Sequence, residues 1–181
     1  MDRYKLKFTN LQNEIFRLLC IKSGASLNQR EISNILKFSP TAVSKSLVYL
    51  QENNFIILEQ DPISKRFAIN LNRDNQFVMQ LKRVDNLKLI YESGLADVLQ
   101  KEYAGASIIL FGNYSRGDDT IKSDIDLAVI GRKDKKIDLT KFEKYLEREI
   151  NINFYSSLKT VHKELRENIC NGIVLIGGIE L

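Results

Sequence analysis

Two aspartates in a short apolar run are the residues of this sequence best suited to chemistry. Asp124 and Asp126 alternate with apolar residues in DIDLAVI (124–130), a pattern that predicts a β-strand. Period two places both carboxylates on one face of the strand, whereas Ile125 and Leu127 point to the other face. Like charges at this spacing repel, so the pKa of at least one carboxyl should rise unless a divalent cation compensates. We therefore predict a Mg²⁺ site at these aspartates, of the kind that serves phosphate chemistry.

A glycine turn upstream supplies the second half of this predicted site. The segment SIILFG (107–112) is a continuous apolar run that ends in glycine, and the polar, turn-rich NYSRGDDTIKS follows it. A glycine after a strand lets backbone N–H groups approach a phosphate closely. The two pieces together describe a site for Mg²⁺ and a nucleoside triphosphate.

The segment FGNYSRGDDTIKSDIDLAVI resembles the signature of the polymerase-β-type nucleotidyltransferases, and is most similar to their small minimal members. The pattern is an apolar residue, Gly, then Gly or Ser, a gap (here ten residues), and Asp-apolar-Asp-apolar, and the resemblance extends over 105–156. It implies transfer of a nucleoside monophosphate from a nucleoside triphosphate to a hydroxyl of a nucleic acid, a small molecule or a protein. It further implies that Asp124 and Asp126 are the catalytic and metal-binding residues. The nucleotide-binding residues it implies are Gly112, Asn113, Ser115 and Arg116.

One position departs from the family pattern in a way that bears on catalysis. A third carboxylate of the family normally lies on a later strand, where it helps to hold the metal and to deprotonate the acceptor. The matching strand here is ININFY (150–155), and the expected position falls on Asn151 or, with slippage, on Asn153. Neither side chain ionises, and loss of such a proton-transfer group costs about 10²–10⁴-fold in rate. Two functions therefore stay open: an active transferase, and an impaired domain that serves as nucleotide sensor, scaffold or antitoxin-type partner.

The first part of the chain predicts three helices and a hairpin. Apolar residues at helical spacing in LQNEIFRLL predict the first helix. Ser26 and Gln29 form a capping-box pattern for the second helix, and Ser39-Pro40 is an N-cap followed by proline at the first helical position. The short apolar runs FIILEQ and RFAINL then predict two strands around the turn DPISK.

This order of elements, over about residues 8–72, is similar to that of the MarR-like winged-helix regulators. The resemblance implies that the third helix enters the major groove of double-stranded DNA and that the hairpin contacts phosphates. Residues 1–72 hold 10 Lys and Arg against 6 Asp and Glu, whereas residues 73–181 hold 17 of each, so the basic excess lies in this part. A protein-docking role is the alternative. The predicted DNA-binding residues are Ser39, Thr41, Ser44 and Lys45 on the third helix and Lys65 and Arg66 on the wing.

An amphipathic helix is predicted between these parts, with an apolar face formed by Phe77, Leu81, Val84, Leu87 and Ile90. Such a helix could serve a homodimer or pack on its own chain. Further along, apolar spacing predicts a helix through Leu158, Val161 and Leu165.

Composition sets the limits of this interpretation. The 181 residues are 44% hydrophobic and 28% charged, which is typical of a globular protein. One histidine and two distant cysteines argue against a zinc cluster and a Ser/His/Asp triad. We find no membrane-length apolar run and no secretory signal, and so expect a cytoplasmic protein. The predicted fold is α+β: a winged helix-turn-helix (1–72), a helical connector (73–104) and a nucleotidyltransferase-like α/β domain with a small mixed sheet (105–181).

Overall fold

The computed structural model describes residues 8–60 and 67–179. The chain divides into two compact units, Met1–Met79 and Gln80–Leu181, and the boundary falls inside one helix, α4 (Gln76–Glu92). Among the residues described, none of the helices combines the length and apolar character that crossing a bilayer requires. The α+β class predicted from the sequence is confirmed.

The first unit is a winged helix-turn-helix. Its elements are α1 (Asn10–Ile21), α2 (Gln29–Leu36), α3 (Pro40–Glu52), β1 (Ile56–Gln60) and β2 (Phe67–Leu71). The two strands pair antiparallel. Each helix turns one apolar face to a common core, because apolar residues recur every three or four positions. Fully buried residues of this core include Ile15, Leu19, Ile32, Val43 and Leu50 from the helices and Ile69 from β2.

The start of α3 is as predicted, whereas the start of α2 is not. The Ser39 hydroxyl accepts a hydrogen bond from the Ala42 N–H, with Pro40 at the first helical position. The capping box of α2 is formed by Asn28 and Glu31 rather than by Ser26 and Gln29. The Ser26 hydroxyl instead donates to the side chain of Asn70, so a contact with β2 takes the residue away from the helix.

The second unit is a four-stranded sheet with helices. Its elements after α4 are α5 (Leu95–Glu102), β3 (Ser107–Phe111), α6 (Gly112–Arg116), β4 (Ile125–Ile130), α7 (Thr140–Leu146), β5 (Ile150–Tyr155), a 3₁₀ turn (Leu158–Thr160), α8 (Lys163–Cys170) and β6 (Ile173–Ile176). The strand order is β5-β4-β3-β6, with β4 and β5 parallel and β3 antiparallel to both neighbours. The end of β3 and the starts of β4 and β5 therefore meet at one edge of the sheet.

The buried face of α4 differs from the predicted apolar face. Val84 is 64% exposed and Phe77 is also exposed. Ile90 of the predicted face is buried, and Leu81 and Leu87 are partly buried. The other buried positions are Val78, Lys82, Asn86 and Leu89, and the two polar residues among them bind groups far away in the sequence.

The helix predicted through Leu158, Val161 and Leu165 is wrong. Ser157 caps the 3₁₀ turn, Val161 is extended, and α8 begins only at Lys163. Leu158 and Val161 are nevertheless buried, in a cluster with residues of β3, β4 and α8. A break in the helix lets both side chains reach this core.

Candidate functional site

The two aspartates lie at the start of β4, on the edge where three strands meet. Asp124 is exposed and directly precedes the strand, and Asp126 is half-buried as its second residue. Ile125 and Leu127, which alternate with them, are fully buried. The alternation in the sequence thus places both carboxylates on the open face of the strand, because the other face belongs to the core.

Each neighbouring strand presents one residue to Asp126. Phe111, the last residue of β3, pairs with Asp126 on one side, and Asn151 of β5 pairs with it on the other. Gly112 follows Phe111 with φ +74°, and a Cβ atom at this position would lie 2.6 Å from Oδ2 of Asp126. Only glycine allows this backbone to lie so close to the carboxylate.

The pairing selects between the two asparagines that the sequence left open. Asn151 faces Asp126, whereas Asn153 pairs with Ala128 further along the strand. The side-chain amide of Asn151 donates to Oδ2 of Asp124 at 3.0 Å. Asn151 thus lies where the family pattern predicts a third carboxylate, and it supplies N–H donors instead of a negative charge.

The electrostatics at this edge follow from burial and crowding. Burial and the nearby charge of Asp124 raise the pKa of Asp126, and hydrogen bonding from Asn151 offsets part of that rise. Burial and the charge of Asp126 also raise the pKa of Tyr155, which lies on the same strand as Asn151. Negative charge is therefore unfavourable here without a compensating cation.

The donor set suits Mg²⁺. Mg²⁺ prefers oxygen ligands and is commonly held by one or two carboxylates together with phosphate oxygens of a substrate. Asp124 and Asp126 provide those carboxylates, and a cation held by both would offset the charge of Asp124 that, together with burial, raises the pKa of Asp126. Within residues 8–60 and 67–179, no three His, Cys, Asp or Glu side chains form a metal cluster.

The segment after Gly112 is a short helix, α6, where the sequence predicted a polar turn. The exposed Asn113 accepts a hydrogen bond from Arg116, whose guanidinium also binds Asn168 and Asp118. Ser115 is buried, and its hydroxyl donates to the carbonyl of Gly112 at 2.8 Å. Gly112 at the start of the helix therefore lies next to Asp126, whereas the Ser115 side chain bonds within the helix.

Behind this edge lies a buried polar network that the sequence analysis missed. Asp119 is 1% exposed, and its carboxylate forms ion pairs with Lys82 and Arg148 and accepts a hydrogen bond from Asn86. Lys82 and Asn86 lie on α4, and Arg148 lies just before β5. No local pattern could have found this network, because Lys82 and Asp119 are 37 residues apart.

A second candidate site lies on the first unit, on the exposed face of α3. Thr41, Ser44 and Lys45 are exposed, and so is Ser39 at the helix start, although its hydroxyl serves as the N-cap. Val48 extends the same exposed face by one turn. The predicted wing residues Lys65 and Arg66 lie outside the residues that the structure describes.

A known protein family matches most of the second unit. Residues 92–175 match the family model of the nucleotidyltransferase domain. The match contains Gly112, Asp124, Asp126 and Asn151, so the whole edge described above lies within it. No curated protein matches the chain.

Several solved structures are similar to part of the chain. A mutant of Lactococcus lactis ZitR is 21% identical with a TM-score of 0.42, over 54% of this chain and 64% of that chain. Wild-type L. lactis ZitR in complex with DNA is 24% identical, with a TM-score of 0.39 over 55% and 68% of the two chains. The S. aureus MepR–DNA complex is 20% identical, with a TM-score of 0.40 over 52% and 77%. The chain thus spans slightly less than two thirds of the first of these relatives.

Proposed function

We propose, on the premise that residues 92–175 form a nucleotidyltransferase domain, that the protein binds a Mg²⁺–nucleoside triphosphate there and double-stranded DNA through its winged helix. Asp124 and Asp126 hold the cation, and the backbone at Gly112 and Asn113 faces the phosphates. The exposed face of α3 reads the major groove. We expect the protein to act in the cytoplasm, where both the nucleoside triphosphate and DNA are available.

The hydrogen bond from Asn151 to Asp124 is the observation that favours nucleotide sensing over catalysis. An amide can neither take a proton from an acceptor hydroxyl nor add negative charge to a metal site. Binding of the cation and the triphosphate needs only the two aspartates and the close backbone of Gly112. The best-supported function is therefore a winged-helix regulator that senses a nucleotide and transfers nucleoside monophosphates poorly.

An active nucleotidyltransferase is the second candidate. The observation in its favour is that Asp124 and Asp126 share the open face of β4, beside a glycine that no larger residue could replace. When bound, Mg²⁺ would stabilise charge on the transferring phosphoryl group. The acceptor in that case is a hydroxyl whose proton another group or solvent must take.

A homodimer and a protein partner stay predictions. Val84 and Tyr91 of α4, seven residues apart, are both exposed, which supports an interaction of this helix with a second copy or another protein. Oligomeric state in solution, measured by light scattering for wild type and Val84→Asp, tests this part of the proposal. Loss of a dimer in the variant is the expected result.

Calorimetric titration with ATP, GTP, CTP and UTP in the presence of Mg²⁺ tests the nucleotide site. Wild type is compared with the double variant Asp124→Asn/Asp126→Asn, which removes both charges and nearly preserves side-chain shape. Saturable binding that disappears in the variant is expected. Binding that persists in the variant would place the nucleotide elsewhere, and no binding by wild type would contradict the proposal.

A further inference from the structure

The carboxylate of Asp119 joins three elements that have no local reason to meet. Lys82 and Asn86 reach it from α4, and Arg148 reaches it from the turn between α7 and β5. Asn86 also donates to the carbonyl of Tyr114 in α6. All four side chains are at least 95% buried: Lys82, Asn86, Asp119 and Arg148.

Asp119 stands at the start of the turn that leads to the metal-binding aspartates. The Ser123 hydroxyl accepts from the N–H of Thr120, and the N–H of Ser123 donates back to the Thr120 carbonyl. Asp124 follows directly. The path of the chain from Asp119 to Asp124 is therefore short and internally bonded, so a shift of Asp119 moves Asp124 with it.

Arg148 fixes the neighbouring strand in the same way. It is followed by Glu149, whose carbonyl accepts from the N–H of Ile125, and Asn151 comes two residues later. One carboxylate thus connects the entry to β4, which carries Asp124, with the entry to β5, which carries Asn151.

Buried ions are a costly way to pack a protein, since the desolvation of each charge offsets much of the attraction between them. Such a network instead fixes the relative positions of the segments it joins, because charged hydrogen bonds are satisfied in one arrangement only, whereas apolar contacts tolerate sliding. The network also extends beyond the family match, since Lys82 and Asn86 precede residue 92.

We propose that Asp119 is the positioning residue of the nucleotide site, and that its ion pairs with Lys82 and Arg148 set the entries of β4 and β5 so that Asp124, Asp126 and Asn151 face one ligand. This inference rests on the proposed function. Asp119 itself touches no ligand and acts through Asp124. Lys82 on α4 and Arg148 before β5 act in turn through Asp119.

The test compares wild type with Asp119→Asn in the full chain. The variant keeps side-chain shape and removes the charge that both cations need. Calorimetry should show that the affinity for Mg²⁺–ATP falls about 10–100-fold, the range typical when a group that orients a metal ligand is lost. Lys82→Arg should retain most of the affinity, and Lys82→Met should lose it.

A matched control separates positioning from general destabilisation. Leu99 is fully buried on α5 and belongs to neither the network nor the carboxylate edge. Leu99→Ala should lower the melting temperature through the cavity it creates. At a temperature below the unfolding transitions of wild type and variant, Leu99→Ala should bind Mg²⁺–ATP with the affinity of wild type. Equal losses of affinity in Leu99→Ala and Asp119→Asn would overturn the positioning role.

Absence of nucleotide binding by wild type would refute the proposed function but not the positioning role of Asp119. Amide hydrogen exchange tests that role without a nucleotide. Asp119→Asn should speed exchange at residues 120–126 and 149–152 more than in α5 and β6. A uniform change over the second unit would refute the inference. If Asp119→Asn does not fold, Asn86→Ala, which removes the hydrogen bonds to Asp119 and to the Tyr114 carbonyl but no charge, should give the same local pattern.

Discussion

The side-chain amide of Asn151 donates to the carboxylate of Asp124 across 3.0 Å, between two parallel strands. The resemblance to the nucleotidyltransferases predicts a carboxylate in the place of that amide, and the proposed preference for binding over transfer rests on this contact. Hydrogen bonding from Asn151 also lowers the pKa of Asp126, against the rise that burial and the charge of Asp124 cause.

Asn151→Asp should therefore convert the site towards catalysis. The new carboxylate adds a metal ligand and a base, and restoring such a group can recover part of the ~10²–10⁴-fold that its absence costs. Incorporation of labelled nucleotide is measured for wild type and variant. Asn153→Asp is the control, because it adds the same charge on the same strand opposite Ala128. Equal gains in both variants would contradict the assignment of Asn151.

Asp126→Asn should stabilise the metal-free protein near neutral pH. The folded-state pKa of Asp126 is raised, so its contribution to stability is present below the unfolded pKa and is lost as pH rises through the folded pKa. Asparagine does not titrate. The variant's advantage in melting temperature should thus be greatest at neutral pH and should shrink as pH falls towards about 3.9.

Asp138→Asn provides a control of opposite sign. Hydrogen bonds from Thr140 lower the pKa of Asp138, so that charge contributes stability above the unfolded pKa and loses it on acidification. At neutral pH, the melting temperature of Asp138→Asn should therefore be no higher than that of wild type. An Asp126→Asn variant that is no more stable than wild type at pH 7 would show that the ionised Asp126 carboxylate does not destabilise the fold.

Gly112→Ala should damage the site more than the fold. A left-handed conformation costs an L-residue about 1–2 kcal/mol, and the added Cβ would in addition press against Asp126. Gly131→Ala shares the positive φ but has nothing within 4 Å of the added Cβ. Urea unfolding should show losses in both variants, whereas nucleotide binding should fall only in Gly112→Ala. Similar binding in the two variants would argue against close approach at Gly112.

Lys45→Ala should weaken DNA binding and reduce its dependence on salt. Each phosphate contact releases counterions, so the slope of log K against log salt should become shallower by about 0.9. Anisotropy with a labelled duplex at several salt concentrations measures this slope. Lys144→Ala, which removes an equal charge from an exposed position on α7, is the control. An unchanged slope in Lys45→Ala would remove this lysine from the interface.

The wing pair should behave like Lys45. Lys65→Ala together with Arg66→Ala is expected to weaken binding across sequences and to flatten the salt dependence, because both residues are predicted to contact phosphates. If the double variant keeps the slope of wild type, the wing does not contact the DNA backbone.

Local signals predicted the parts of the fold that depend on neighbouring residues. Ser39-Pro40 marks the start of α3 because a cap and a fixed φ act within one turn. The alternation at Asp124 and Asp126 likewise fixes which side chains face outward. The capping box of α2 was predicted two residues too early, because the Ser26 hydroxyl bonds Asn70 of β2, a contact that the local sequence does not reveal.

The buried face of α4 depends on contacts distant in the sequence. Its apolar spacing predicted one face, whereas the structure buries Lys82 and Asn86 on another. The partner that makes their burial favourable, Asp119, lies in a turn more than thirty residues later. A lysine in a helix is expected to be solvated unless a paired charge is known, and only the folded chain brings that charge to it.

The network around Asp119 also decides where this chain can be divided. A fragment beginning at residue 105 would contain Gly112 and both site aspartates, yet it would lack Lys82 and Asn86. Removing one partner of a buried ion pair costs about 3–5 kcal/mol, a large share of what holds a small domain together. An autonomous C-terminal fragment must therefore begin before Lys82, which agrees with the start of the second unit at Gln80.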